Sequence, residues 1–235
     1  MMYSLFIDIH THNQSFDRPG IISVRNLSYL EVADIQPNLQ LNNGYYSVGL
    51  HPWDSAAEGF NEDHLSEMAR LPEIIAIGEC GLDRLRGADM KTQAHLFEQH
   101  VRIADQVEKP LIIHCVQAWQ QIISIKKNSH SGVPWIIHGF RGKPELAAQL
   151  VDHGFYLSFG PGILQPVSSL KRTLRVIPDN RLFLETDASG LSIELIYEAA
   201  VKIKELSLSE LQRVLIHNFN TVFKIHGTSP MAAKD

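Results

Sequence analysis

The chain has 235 residues, a formal net charge of −5 and 44% hydrophobic residues. This length and composition suit one α/β barrel with its own core. The negative net charge argues against a protein that binds long stretches of nucleic acid, which usually has a basic surface. A short strand held mainly by metal ions would not need such a surface. Two cysteines, Cys80 and Cys115, are too few for a disulfide framework and should be reduced and buried. The absence of a signal peptide or a long apolar run predicts a cytoplasmic protein without membrane contact.

Eight short apolar segments, mostly continuous rather than alternating, predict strands that are buried on both faces. They are Leu5–Ile9, Ile22–Val24, Tyr45–Leu50, Ile74–Ile77, Leu111–Ile113, Trp135–Ile137, Phe155–Phe159 and Leu182–Leu184. Between two of them, Met90–Glu108 has apolar residues at spacings of three and four, which predicts a helix. A shorter helical stripe contains Leu146 and Leu150, and Val201–Ile225 should hold one or two helices.

Strands that alternate with helices predict a parallel sheet, and eight of them predict a single (β/α)8 TIM barrel. The segments His12–Ile21 and Tyr29–Gly44 look too thin for full helices, so the first and second βα units should be abbreviated. We expect one barrel domain over residues 1–226. Residues 227–235 are small and polar, which predicts a loose C-terminal tail.

Ionisable side chains occur where the predicted strands end. His10 and His12 follow the first strand, and residues two apart in a strand point the same way, so both can face one metal ion. Alone, this pair favours a metal site, with polar lining of the barrel as the alternative. Four further residues stand at the ends of the fourth, fifth, sixth and eighth strands: Glu79, His114, His138 and Asp187. In a barrel these ends meet at one mouth, where active sites lie.

Four imidazoles and two carboxylates at one mouth predict a metal site, because buried charged groups are costly without a partner. Imidazole ligands favour zinc or manganese, and a carboxylate can bridge two ions. We predict two divalent ions, one held by His10 and His12 and the other by His114 and His138. Glu79 would contribute one oxygen to each ion.

Asp187 is predicted to complete the first ion's ligands and to act as general base toward a water molecule. His51 either contacts a substrate oxyanion or caps the mouth by bonding to backbone. Asp83 either orients a ligand or touches substrate. Arg141 is either a phosphate contact or a solvated loop residue. Asp8 is predicted to orient a ligand by a hydrogen bond. The seven other histidines are interpreted as surface or packing residues: His64, His95, His100, His130, His153, His217 and His226.

Eight motifs occur in this order along residues 5–225: FIDIHTH, VGLHPWD, AIGECGLD, LFEQHVRIADQVEKPLIIHC, IIHGFRG, GFYLSFG, LFLETD and HNFNTVFKI. Together they resemble the TatD family of metal-dependent deoxyribonucleases, within the amidohydrolase superfamily. The resemblance implies a TIM barrel, one to three divalent ions, a magnesium requirement and metal ligation by the six residues named above. The chain departs from the family pattern after Asp187, after His138 and in the shorter region between His12 and Tyr45, all on the substrate side of the mouth.

The leading functional hypothesis is a metal-dependent phosphodiesterase, a deoxyribonuclease acting on single-stranded DNA or DNA ends. The second is a metal-dependent hydrolase of a small-molecule ester, amide or phosphoester, which the acidic charge and the altered mouth loops favour. A third, remote hypothesis is a non-enzymatic metal-binding barrel. The complete ligand set argues against it, because a lost activity would release these costly buried groups from constraint.

Overall fold

The computed structural model describes residues 5–13, 18–32, 44–166 and 169–225. Eight parallel strands form one sheet in chain order. They are β1 (Phe6–Thr11), β2 (Ile21–Ser28), β3 (Tyr45–Gly49), β4 (Ile74–Asp83), β5 (Leu111–Val116), β6 (Trp135–Ile137), β7 (Phe155–Phe159) and β8 (Leu182–Leu184). Asp187 N–H donates to His10 O (3.0 Å) and His12 N–H donates to Asp187 O (3.2 Å), which links the two edges of the sheet. The predicted TIM barrel is confirmed.

Helices connect the strands and cover the outside of the barrel. They are α1 (Tyr29–Val32), α2 (Glu62–Met68), α3 (Met90–Val107), α4 (Trp119–Ser129), α5 (Pro144–Asp152), α6 (Ser169–Val176), α7 (Ile193–Lys204) and α8 (Leu208–Phe223). Helix α1 has four residues, and residues 14–17 and 33–43 of the two units predicted to be abbreviated lie outside the described residues. The predicted tail at residues 227–235 lies outside the described residues. None of the helices in the described part of the chain has the length and apolar character to span a lipid bilayer.

Helix α3 shows how the sequence builds one outer wall. The Asp89 side chain accepts hydrogen bonds from Lys91 N (2.9 Å) and Thr92 N (3.0 Å), which caps the first turn. The predicted apolar stripe lies on one face of the helix, with Phe97, Val101 and Ala104 buried and Ala94 and Val107 half-buried. The helix therefore starts at its cap and packs by its stripe against β4, the strand that carries Glu79.

Strand β4 extends six residues beyond its predicted end at Ile77, and β5 extends three beyond Ile113. Two glycines allow the two strands to pair over this length. Gly78 and Gly81 have φ angles of +145° and +141°, and a Cβ on either would overlap a backbone carbonyl oxygen of β5. The consequence is that Glu79 and His114 lie within paired strands, where their backbones are fixed, rather than in loops.

Candidate metal centre

The Glu79 carboxylate lies at the centre of the mouth and is 4% exposed. Its Oε2 atom lies 3.3 Å from His10 Nε2 and 3.5 Å from His12 Nε2. We call Glu79 Oε2, His10, His12 and Asp187 the open side of the centre. The structure therefore brings together the four residues that were predicted around the first ion.

The other Glu79 oxygen, Oε1, faces a second group of histidines. It lies 2.7 Å from His138 Nε2, 3.0 Å from His114 Nδ1 and 3.0 Å from His51 Nε2. We call Glu79 Oε1, His114 and His138 the buried side. Each oxygen of one carboxylate thus faces its own pair of predicted ligands, which is the arrangement expected for a bridging ligand.

Asp187 closes the open side from the end of β8. Its Oδ1 lies 3.6 Å from His12 Nε2 and 3.9 Å from His10 Nε2, and its side chain is 36% exposed. Its φ of +52° is a left-handed conformation that aspartate tolerates better than most residues. Backbone hydrogen bonds to β1 hold this conformation, so the carboxylate is fixed beside the histidines while remaining accessible from the mouth.

A carboxylate stands behind each histidine of the buried side. His114 Nε2 lies 3.0 Å from Asp83 Oδ2, and His138 Nδ1 lies 3.5 Å from Glu185 Oε1. Hydrogen bonds from Trp53 and Leu85 hold the pKa of Asp83 below its usual value despite burial, so Asp83 is ionised and His114 Nε2 must donate to it. That tautomer leaves the Nδ1 lone pair of His114 free for a metal ion.

The sequence interpretation missed Glu185. This residue is fully buried, and its Oε1 accepts a hydrogen bond from Gly139 N (2.6 Å) in addition to its approach to His138. It directly follows β8, as Glu79 follows a buried strand in the sequence. The cost of burying an unpaired carboxylate therefore marks Glu185 as a candidate site residue in the same way.

His51 has a different tautomer from His114. Its Nδ1 accepts a hydrogen bond from Trp53 N (3.1 Å), so the proton of a neutral His51 lies on Nε2. That N–H points toward Glu79 Oε1 and His114 Nδ1. His51 therefore presents a donor to the mouth rather than a lone pair for a metal ion.

Three other predicted residues take distinct places. Asp83 is 3% exposed and is covered by Trp53, so it orients His114 and does not face the mouth directly. Arg141 is exposed and lines a cavity beside Asp187. Asp8 accepts hydrogen bonds from Thr186 N (3.0 Å) and Thr186 Oγ1 (2.7 Å), which fixes the residue before Asp187 rather than a histidine. Burial raises the pKa of Asp8 to about 7.

The electrostatics of the centre favour a cation. Burial raises the pKa of Glu79, but the surrounding histidines, His138 above all, lower it well below its usual range. Burial lowers the pKa of His138, but the charge of Glu79 outweighs this and raises it well above the usual range. An ionised Glu79 therefore attracts positive charge, which a proton supplies on His138 and which a divalent ion would supply in its place.

The donor set fits a metal ion in geometry as well as in charge. His10 and His138 each have both ring nitrogens buried without a hydrogen-bond partner among the described residues. Their neighbouring carboxylate oxygens are close but poorly aligned for hydrogen bonds. Two groups of predicted ligands offer ligand atoms within 4.8 Å of one another: His10, His12 and Glu79; and His10, His138 and Asp187. Nitrogens and oxygens that converge in this way suit an ion between them.

Comparison with known proteins agrees with this geometry. A family model described as TatD related DNase matches residues 7–224. The chain belongs to the TatD-related DNase family. It is therefore a TatD-type metal-dependent hydrolase, which confirms the predicted class of enzyme.

Relatives within and around the TatD family vary in similarity. An uncharacterised metal-dependent hydrolase from Buchnera aphidicola is 32% identical over 209 residues, which is 78% of each chain. A protein named 3′-5′ ssDNA/RNA exonuclease TatD, from Citrobacter koseri, is 31% identical over 150 residues, covering 62% of this chain and 58% of that one. The crystal structure of a TatD homologue from Escherichia coli K12 superimposes with a TM-score of 0.78 at 22% identity, covering 96% of this chain and 100% of that chain. That last similarity shows the shared fold.

Proposed function

We propose that this TatD-family protein is a phosphodiesterase that cleaves single-stranded DNA or DNA ends, with its activity in one domain over residues 1–226. The observation that carries the proposal is the Glu79 carboxylate, whose two oxygens face separate histidine pairs at a mouth closed by Asp187. The relative named as an ssDNA/RNA exonuclease supports the choice of nucleic acid.

Two divalent ions fit this set of ligands. His10, His12 and Asp187 would hold one ion and His114 and His138 the other, with Glu79 shared. The nitrogen-rich set favours zinc or manganese, while the family resemblance points to magnesium. Ions bound here supply an activated water and positive charge opposite the phosphoryl oxygens.

Asp187 is the general base in this proposal. Its carboxylate is 36% exposed at the mouth, and its backbone is tied to β1 on both sides. It can therefore orient the attacking water and accept its proton without moving.

His51 and Arg141 are assigned to the substrate. The Nε2–H of His51 donates to a phosphoryl oxygen at the Glu79 Oε1 edge of the mouth. The exposed guanidinium of Arg141 pairs with a neighbouring phosphate, for which its planar fork is suited. Asp83 and Glu185 act behind the ligands, holding His114 and His138 in orientation.

The shape of the mouth is compatible with a strand of nucleotides. Two cavities of about 440 and 400 Å³ meet at the centre, and both are lined by His114, His138 and Asp187. A scissile phosphate at these residues would leave room on either side for the nucleosides that it joins. The predicted hydrolase of a small ester or phosphoester is the second candidate, because Glu31 and Asp54 also line the larger cavity and oppose a polyanion.

The test is cleavage of an end-labelled single-stranded oligodeoxynucleotide by protein loaded with manganese or magnesium. Asp187→Asn should lower kcat by about 10²–10⁴-fold while circular dichroism stays unchanged. Asp152→Asn, an exposed carboxylate at the end of α5, is the matched control and should retain full activity. Turnover of small esters without cleavage of any nucleic acid would establish the second candidate instead. An active Asp187→Asn would remove the proposed base.

A further inference from the structure

The loop between β4 and α3 exposes three consecutive large side chains beside the mouth. Arg84, Leu85 and Arg86 are all exposed, and Leu85 is 66% exposed. We call residues 84–88 the rim loop. Two cations and an apolar side chain are thus exposed together next to the metal centre, in a chain of net charge −5.

The rim loop is held rigidly from below by one side chain. Gln93 is 1% exposed, and its amide nitrogen donates to the carbonyl oxygens of Asp83 (3.0 Å), Arg86 (2.8 Å) and Ala88 (2.8 Å). Its Oε1 accepts from Asp83 N (2.7 Å). The backbone conformation is thus fixed before any ligand arrives, so a ligand would not have to order the loop.

Trp53 forms a platform with the rim loop. Its indole is 47% exposed, its Nε1–H donates to Asp83 Oδ2 (2.6 Å), and the Arg86 guanidinium carbon lies 4.4 Å from the ring centroid. Asp83 Oδ1 also accepts from Leu85 N (2.8 Å). A guanidinium stacked on an indole keeps its N–H donors available at its edge. The platform therefore combines an aromatic surface with anion-binding donors.

The platform and the rim loop connect the two cavities of the mouth. Trp53 lines the larger cavity. Arg84 Nε donates to Gln117 O (3.0 Å), and Gln117 lines the second cavity. Asp83 joins this assembly to the metal centre because its Oδ2 also bonds His114. A strand whose phosphate lies at the centre would therefore pass along these side chains.

We infer that Trp53, Arg84 and Arg86 form a binding subsite for single-stranded nucleic acid, which takes the nucleotides next to the scissile phosphate. One base stacks on the Trp53–Arg86 platform, and the two guanidinium groups bind flanking phosphates. The inference takes its choice of ligand from the proposed function. The charge of the two arginines supports it, because they supply the positive charge that a polyanion needs beside a cavity lined by Glu31 and Asp54.

The stacking is tested by two substitutions of the same residue. Trp53→Phe and Trp53→Ala both lose the hydrogen bond to Asp83, and only the alanine variant also loses the aromatic ring. Binding of a fluorescein-labelled oligothymidylate is measured by anisotropy in metal-loaded Asp187→Asn protein, so that the probe stays intact. The alanine variant should bind at least about fivefold more weakly than the phenylalanine variant.

The phosphate contacts are tested by the salt dependence of the same binding. Arg84→Ala and Arg86→Ala should each reduce the slope of log K against log salt by about 0.7, the value for one phosphate contact to a single strand. Arg213→Ala, which removes an exposed arginine on α8, is the matched control and should leave the slope unchanged.

Hydrolysis of bis(p-nitrophenyl) phosphate by the otherwise native protein separates this inference from the proposed function. Suppose that the small diester is cleaved but Trp53→Ala, Arg84→Ala and Arg86→Ala do not change oligonucleotide binding. The subsite is then overturned, and the proposed phosphodiesterase function stands. If the oligonucleotide binds through these residues but neither substrate is cleaved, the subsite stands and the proposed function falls. Absence of oligonucleotide binding by the Asp187→Asn protein overturns the subsite.

Discussion

The two sides of the Glu79 carboxylate differ in burial. On the open side, the side chains of His12 and Asp187 are 40% and 36% exposed, whereas His10 is fully buried. On the buried side, His114 and His138 are 13% and 6% exposed. One carboxylate thus joins a part of the centre that faces solvent to a part that is enclosed by the barrel.

The two sides also differ in what supports their ligands. His114 and His138 each have a carboxylate behind the ring, from Asp83 and Glu185. No carboxylate oxygen lies within ion-pairing distance of His10 Nδ1 among residues 5–13, 18–32, 44–166 and 169–225. Supported, desolvated ligands are preorganised and more basic. We therefore expect the buried side to bind its ion more tightly and the open side to exchange its ion and receive the water.

The largest expected effect is that of Glu79→Gln, because it removes the charge that both sides share. Loss of a supporting carboxylate lowers metal affinity about 10–100-fold, so loss of this ligand should exceed 100-fold on both sides. Calorimetric titration with manganese measures the change. Glu67→Gln, an exposed carboxylate on α2, is the control. A variant that still binds two ions tightly would show that Glu79 is not shared.

His12→Ala should affect the open side alone. The half-exposed imidazole is one of two histidines at Glu79 Oε2, so its loss should leave one tightly bound ion per chain instead of two. Metal content after gel filtration, measured by mass spectrometry, reports the number. Loss of both ions from this variant would mean that the two sides do not bind independently.

Glu185→Gln should affect the buried side alone and by a smaller amount. The amide keeps an oxygen for Gly139 N but removes the charge behind His138. The tighter of the two manganese affinities should fall about 10–100-fold, while the weaker one is unchanged. Thermal unfolding in EDTA serves as the control for folding. An unchanged tight site would assign Glu185 to the backbone of Gly139 only.

The last prediction concerns folding stability rather than metal affinity, at the outer support of His51. His100 on α3 accepts from Leu50 N (2.9 Å), the residue before His51, and burial lowers its pKa from about 6.5 to about 4. The unfolded chain therefore binds this proton first as pH falls, so stability is full above pH 6.5 and declines toward pH 4. The loss is at most about 3 kcal/mol.

Urea denaturation in EDTA at several pH values measures this loss. His100→Gln should be less stable than the native chain at pH 7, because it lacks the ring, and its stability should depend less on pH. Subtracting the free energies of unfolding of the two chains cancels the contribution of the other histidines to the pH dependence. A pH dependence that is equal in both chains would contradict the assigned burial of His100.

The sequence was sufficient to predict the barrel and the residues around Glu79 for one physical reason. Charged side chains that follow buried parallel strands must converge at the carboxyl ends of the barrel. Glu185 meets the same criterion, because it is a charged residue that directly follows the buried strand β8, and the sequence interpretation missed it. The side assigned to each ligand also followed from strand order, because neighbouring strands deliver neighbouring side chains.

Other features depend on contacts that no local pattern encodes. The tautomers of His51 and His114 follow from hydrogen bonds to Trp53 and Asp83, which arise from loops that fold back over the strand ends. The burial of Asp83 depends on the same loops. The rim loop has no periodicity, and its rigidity comes from Gln93, whose role is visible only when its four hydrogen bonds are known.

We propose that the Glu79 carboxylate serves two unequal metal positions. Anomalous diffraction from crystals soaked in manganese, first below and then above one equivalent per chain, tests it most directly. We predict a first peak bounded by Glu79 Oε1, His114 and His138, and a second peak at higher metal bounded by Glu79 Oε2, His10 and His12. A first peak at His10 and His12, or a single peak at saturation, would contradict the account.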